Sequence, residues 1–155
     1  MFSPTRDQAR NFFFETWAKF RRGEPLLGLE QTVLGVILLH PEYQPLLEQP
    51  ERHLGRDFLP EAGDVNPFLH LSLHLAVAEQ LSIDQPFGIA ERYRRLRERL
   101  GSEHDALHAI VECVGEMIWR AQRDGTAPDE RMYLECLDRG LQPQDHSLHP
   151  RAGTK

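Results

Sequence analysis

Two pairs of histidines could bind a metal, because each pair is spaced four residues apart in an apolar, helix-like stretch. His70 and His74 lie in NPFLHLSLHLAVAE, and His104 and His108 lie in SEHDALHAIVECVG. Four residues of an α-helix turn through about 400°, so each pair shares one face and is separated by about 6 Å along the axis. This spacing lets two imidazoles reach one metal ion.

A carboxylate and a fifth imidazole extend the pattern. Glu112 follows His108 by one turn, which gives the string H-x-x-x-H-x-x-x-E. If the two helices pack together, four imidazoles and a carboxylate converge, as in metal-binding helical bundles. His40, at a helix end beside Pro41, is a further candidate ligand or supporting group. The predicted metal site therefore comprises His70, His74, His104, His108, Glu112 and His40.

The residue types also limit the choice of metal. Imidazoles with a carboxylate and no thiolate favour iron, zinc or manganese. Glu15, among the aromatic residues of FFFETW, and Glu30 could add carboxylates or could pair with a cation or a helix N-terminus. The alternative for all these histidines is hydrogen bonding inside an apolar core, without a metal.

The helical spacing of apolar residues and the residue types at helix ends predict the fold. Six helices are expected at about residues 4–22, 29–39, 67–81, 86–100, 102–123 and 126–140. The clearest start is Asn66 as N-cap with Pro67 in the first turn. The polar stretch Pro50–Val65 reads as a long connection of the kind that often carries function. We expect an all-α, single-domain helical bundle of about five or six helices over residues 1–140, then a disordered tail over residues 141–155.

Composition excludes several classes of protein. The 155 residues are enough to bury a core without metals or disulfides, so a metal would serve function rather than folding. The net charge of −6 argues against a nucleic-acid partner. No apolar run approaches the roughly 20 residues of a membrane span, and no signal-peptide pattern appears, so a cytoplasmic protein is expected.

Cys113 and Cys136 form no CxxC motif. They are interpreted as core residues of a reducing compartment rather than a disulfide framework.

Two classes of function remain open. A metal-binding bundle could handle oxygen or peroxide, by analogy with hemerythrin-like and ferritin-like proteins, or could support metal-assisted hydrolysis. GxSxG, P-loop and GxGxxG strings are absent, so the sequence leaves enzyme status open. The alternative is a non-catalytic interaction module that contacts a protein partner through Glu91–Leu100, where arginines alternate with glutamates.

Several strings together resemble one protein family. FFFETW, HPEYQPLLE, NPFLHLSLHLA, LSIDQP and HDALHAIVECVGEMIWRAQRDG are similar to the proteobacterial family catalogued as Domain of Unknown Function 1841, over about Met1–Gly140. The resemblance implies a small bacterial protein whose histidine motifs fall on His40, His70, His74, His104 and His108. The chain departs from it at Gln44, where family members often have a second histidine after HPEY.

Overall fold

The computed structural model describes residues 5–58 and 66–142, and these residues are helical or irregular with no strand. The all-α class is therefore confirmed. The described helices are α1 (Arg6–Arg21), α2 (Leu29–Leu38), a 3₁₀ helix (Pro41–Tyr43), α3 (Gln44–Leu47), α4 (Pro50–His53), α5 (Pro67–Ile83), α6 (Ile89–Leu100), α7 (Glu103–Asp124) and α8 (Glu130–Leu141).

This part of the chain has more helices than the five or six expected. The additional ones are α3 and α4, two four-residue helices with a proline in the first turn, where the missing amide donor costs nothing. α4 lies in the stretch Pro50–Val65 that is interpreted as a connection, and α3 lies just before that stretch. None of the helices in the described ranges is long and apolar enough to cross a membrane.

The chain divides into two compact units, Met1–Gln85 and Pro86–Lys155. The prediction of one domain over residues 1–140 stays a prediction. The predicted disorder of the tail falls almost wholly outside the described residues.

The first unit is built on α1, α2 and α5. Lys19 of α1 binds the Glu30 carboxylate of α2 at 2.7 Å, so Glu30 ties two helices together, while Glu15 is exposed. Glu30 thus has a cation as its partner, which is one of the alternatives that the sequence leaves open. The core consists of apolar side chains from these helices and from α3: Phe13, Phe14, Trp17, Val33, Val36, Ile37, Leu47, Phe68 and Leu71.

Arg10 is a buried cation at the edge of this core. Its side chain is 2% exposed and lies over the Phe68 ring, with its guanidinium carbon 4.6 Å from the ring centroid. Its Nη1 donates to the backbone carbonyls of His53, Leu54 and Arg56 at 3.3, 3.0 and 2.6 Å. Helix-end carbonyls lack helical partners, so the guanidinium caps α4 and fixes the chain that follows it.

We predict that Arg10→Gln lowers the free energy of unfolding by about 2–4 kcal/mol, because hydrogen bonds to a buried charged group are lost. Arg6→Gln is the matched control, since Arg6 lies one turn earlier on α1 and its ion pair with Asp57 is exposed. Urea denaturation followed by circular dichroism measures both variants. Equal losses would show that Arg10 is not a structural cap.

His53, the last residue of α4, is buried rather than solvated as its polar surroundings suggest. Only 7% of it is exposed, and burial lowers its pKa, with the nearby cations Arg52 and Arg56 lowering it further. An unfolded chain takes up a proton at an unperturbed histidine near pH 6.5, before the folded chain does at His53. Protonation therefore favours unfolding.

We predict that the His53 contribution to stability is complete above about pH 6.5 and is lost as pH falls toward the lowered folded pKa. His53→Gln removes this titration. The variant should lose less unfolding free energy than the wild type between about pH 7.5 and about pH 5.5 in urea titrations. Leu69→Ala, at an exposed site, removes no titratable group and should leave the wild-type pH dependence in place. The interpretation fails if both variants lose stability equally.

The second unit contains α6, α7 and α8. The Ser102 side chain caps α7 by accepting from Asp105 N, and the Asp129 side chain caps α8. Apolar side chains from the three helices form its core: Ile89, Leu96, Ile110, Val114, Tyr133 and Leu137.

A disulfide joins Cys113 of α7 to Cys136 of α8. The interpretation of these cysteines as unlinked core residues is wrong. No local motif indicates the pair, because 23 residues separate the two cysteines and only the packing of α8 on α7 brings them together.

Candidate metal centre

His40 ends α2 and folds back onto it. Proline disfavours the helical conformation in the preceding residue, so Pro41 forces the chain out of the helix at His40, where φ is −128° and ψ is 64°. The His40 Nδ1 lies 2.8 Å from the carbonyl oxygen of Val36, one of the last carbonyls of α2. The imidazole thereby satisfies a helix-end acceptor and is 1% exposed.

His70 and His74 come from α5, whose start is fixed by the Asn66 side chain. Its Oδ1 accepts from the amides of Phe68 and Leu69 at 3.0 and 3.1 Å. The two histidines occupy successive turns, with ring centroids 4.7 Å apart. His74 is 3% exposed and His70 is half-buried. The predicted start of this helix and the shared face of its histidines are confirmed.

The packing of α2 on α5 brings these three imidazoles together. The His40 ring centroid lies 4.9 Å from that of His70 and 4.4 Å from that of His74. One ligand nitrogen from each ring lies within 4.8 Å of the others. Three such points lie within about 2.8 Å of a common centre, near the roughly 2.0–2.1 Å of a zinc–imidazole bond. This cluster could hold one metal ion.

The hydrogen bonds assign protons to two of the rings. A carbonyl can only accept, so His40 Nδ1 carries the proton and His40 Nε2 is the acceptor nitrogen. His70 Nε2 lies 3.1 Å from His40 Nε2, and when both rings are neutral it is the donor to that nitrogen. For His70 Nε2 to bind a metal, that proton has to move to Nδ1 or leave.

We predict opposite tautomers for these two rings in chelator-treated protein, with the proton on Nδ1 in His40 and on Nε2 in His70. Long-range ¹H–¹⁵N correlation spectra distinguish the two forms, and single His→Gln variants assign the signals. A His40 ring protonated on Nε2 would contradict this proton arrangement.

Tyr43 is a member of the cluster that sequence reasoning misses. Its ring is nearly parallel to His40, with centroids 5.6 Å apart and planes 6° apart, and its centroid lies 6.1 Å from that of His70. Burial raises its pKa, and nearby Glu42 raises it further, so the phenol keeps its proton. A 3₁₀ helix has three residues per turn, so the HPEY spacing could have placed Tyr43 beside His40.

The other predicted ligands lie on α7, in the second unit. The rings of His104 and His108 have centroids 4.1 Å apart, so the two residues share a face as expected. His108 Nδ1 donates to the carbonyl of His104 at 2.8 Å, which leaves Nε2 as the acceptor nitrogen, as in His40. His104 and Glu112 are exposed.

A family model described as "Domain of unknown function (DUF1841)" matches residues 5–139. The chain belongs to the DUF1841 family. No curated protein and no solved structure matches the chain. The histidines of α2, α5 and α7 all fall within the residues matched to DUF1841. The family description names no activity, so the function has to be argued from the site itself.

Proposed function

We propose that this DUF1841 protein binds a divalent transition metal through His40, His70 and His74. The observation that carries the proposal is the approach of three imidazoles in one unit, two of them with Nε2 atoms 3.1 Å apart. A backbone carbonyl on the far nitrogen of His40 supports it, since metal-binding histidines almost always donate their second N–H to such a group.

The separation of the two Nε2 atoms suits ligands of one ion. Bonds of about 2.0–2.1 Å place neighbouring nitrogens about 3.3 Å apart in a tetrahedral site and about 2.9 Å apart in an octahedral one. The 3.1 Å between His40 and His70 lies between these values. Small rotations of the imidazoles are enough to complete the geometry.

The donor set selects among the metals expected from the sequence. Three imidazoles favour zinc and iron(II), whereas manganese prefers oxygen ligands. A site with three protein ligands leaves a coordination position open, as catalytic metal sites do. A bound zinc there would supply Lewis acidity for hydrolysis, and a bound iron would supply oxygen or peroxide chemistry. Tyr43 would hold the planes of His40 and His70 by ring packing.

The sequence-based prediction that His104, His108 and Glu112 contribute to the same metal site stays a prediction. His108 supports it with its acceptor Nε2, while the exposure of Glu112 gives that carboxylate no fixed geometry. Single alanine variants at these three positions test each residue by calorimetric titration with cobalt(II) or zinc.

The alternative function, an interaction module that uses Glu91–Leu100, gains less support. Arg94 binds Glu91 and Glu98 on α6 itself, and Arg92 binds Asp138 of α8. Pairing of this kind is typical of a solvated, salt-bridged helix face.

We predict near-stoichiometric zinc or iron in tag-free protein purified without chelator, measured by plasma mass spectrometry. His70→Ala should weaken cobalt(II) or zinc binding by at least about 100-fold in a calorimetric titration, because loss of a ligand costs more than loss of a supporting group. Leu69→Ala is the matched control, since Leu69 is an exposed neighbour on the same helix.

Circular dichroism checks that both variants fold. Zinc would direct the next assay to hydrolysis, and iron would direct it to oxygen and peroxide. Absence of stoichiometric binding after reconstitution with zinc, iron(II) and cobalt(II), or equal affinity in the folded His70→Ala variant, would overturn the proposal.

A further inference from the structure

The Cys113–Cys136 disulfide connects the middle of α7 to the middle of α8. The Cα atoms are 5.8 Å apart, which is a usual distance for disulfides. These are the only two cysteines of the chain, so no other internal pairing competes. The bond is the one covalent link between α8 and α7 apart from the chain that runs through residues 125–129.

Apart from the disulfide, α8 is attached by two buried side chains and by polar contacts with α6. The helix has 12 residues, a length at which an isolated helix is marginal in water. Tyr133 and Leu137 are its buried side chains. Its polar links to α6 include the Arg92–Asp138 pair at 2.8 Å and the bond from Arg99 Nη1 to the Leu141 carbonyl at 2.6 Å. These links are partly or fully exposed, and such pairs contribute little.

We propose that the disulfide is a redox switch that controls the attachment of α8. When it is oxidised, α8 is held on α6 and α7. When it is reduced, α8 detaches far more often and uncovers Tyr133, Leu137 and the apolar surface on which they pack. A small helical unit has a low free energy of unfolding. The loss of one cross-link therefore strongly shifts the equilibrium between attached and detached α8.

The redox step balances with ordinary reagents. A dithiol reductant supplies two electrons and two protons, the S–S bond becomes two thiols, and the reductant becomes a disulfide. In the reverse direction hydrogen peroxide takes the two electrons from the two thiols. The S–S bond then forms, and two waters leave.

The surroundings of the two sulfurs favour slow thiol–disulfide exchange, which suits a switch rather than a catalytic thiol. Cys113 is buried and Cys136 is half-buried, so attack by a thiol is directed to Cys136. The Glu116 carboxylate lies 3.6 Å from Cys136 Sγ. A carboxylate repels an approaching thiolate, which is the form that attacks a disulfide, so it slows exchange at Cys136. Slow exchange would let the oxidised and reduced forms persist long enough to differ in function.

The test is hydrogen exchange of the α8 amides in the full chain, followed by mass spectrometry, in oxidised and in phosphine-reduced protein. A disulfide that closes a loop of this length restricts the open state strongly, so reduction should raise the open population of α8 by roughly 300-fold. Trypsin should then cleave faster at Arg131 and Arg139, which lie in α8. The α5 amides serve as the internal control and should not change.

Cys113→Ser/Cys136→Ser should exchange as the reduced protein does and should not respond to the reductant. The wild-type comparison needs no substitution, so a variant that fails to fold leaves the test intact. The proposal is overturned if α8 exchange differs by less than about threefold between the two redox states, far below the roughly 300-fold expected. It is also overturned if both cysteines remain alkylatable after treatment with peroxide.

Discussion

The hydrogen bond from His40 Nδ1 to the Val36 carbonyl is the constraint on which the candidate site depends. Pro41 ends α2 and leaves helix-end carbonyls to be satisfied, and the imidazole satisfies one of them. The same bond fixes the ring plane and makes Nε2 the acceptor nitrogen. His40 Nε2 therefore faces His70 of α5. The cap at Asn66 fixes the start of α5 and so places the histidines of that helix. The helix end and the helix start are each encoded locally, and the packing of α2 on α5 brings them together into the cluster.

Two buried polar side chains of the first unit, Arg10 and His40, donate hydrogen bonds to backbone carbonyls. Arg10 donates to three of them and His40 to one. A carbonyl is an uncharged acceptor, so it orients the His40 ring through Nδ1 without placing a net charge beside it. Neutral imidazoles are the form that binds a metal. The charges of α6, by contrast, lie in exposed ion pairs that affect solubility more than stability.

Features encoded by neighbouring residues are predictable from the sequence, whereas features created by packing are not. The start of α5 follows from Asn-Pro, and the start of α7 follows from Ser102 with Asp105, so the shared faces of their histidines can be derived. The burial of His53, the contacts of Arg10 and the disulfide depend on segments distant in sequence. The position of the His40 ring likewise depends on how α2 packs against α5. The helix α4 is also difficult to predict, because its sequence is polar and a single helical turn that begins with proline shows no hydrophobic periodicity.

Both units have an apolar core, but the second also has a covalent cross-link, and this separates the two proposals. The first unit has an apolar core of aromatic and branched side chains beside its histidine cluster. Metal binding there would add to an existing fold rather than create one, unlike the small domains that fold only around zinc. The second unit has a covalent cross-link, so its stability is sensitive to oxidation state. The disulfide-bonded sulfurs cannot act as thiolate ligands, so the metal chemistry of the oxidised chain is that of its imidazoles and carboxylates.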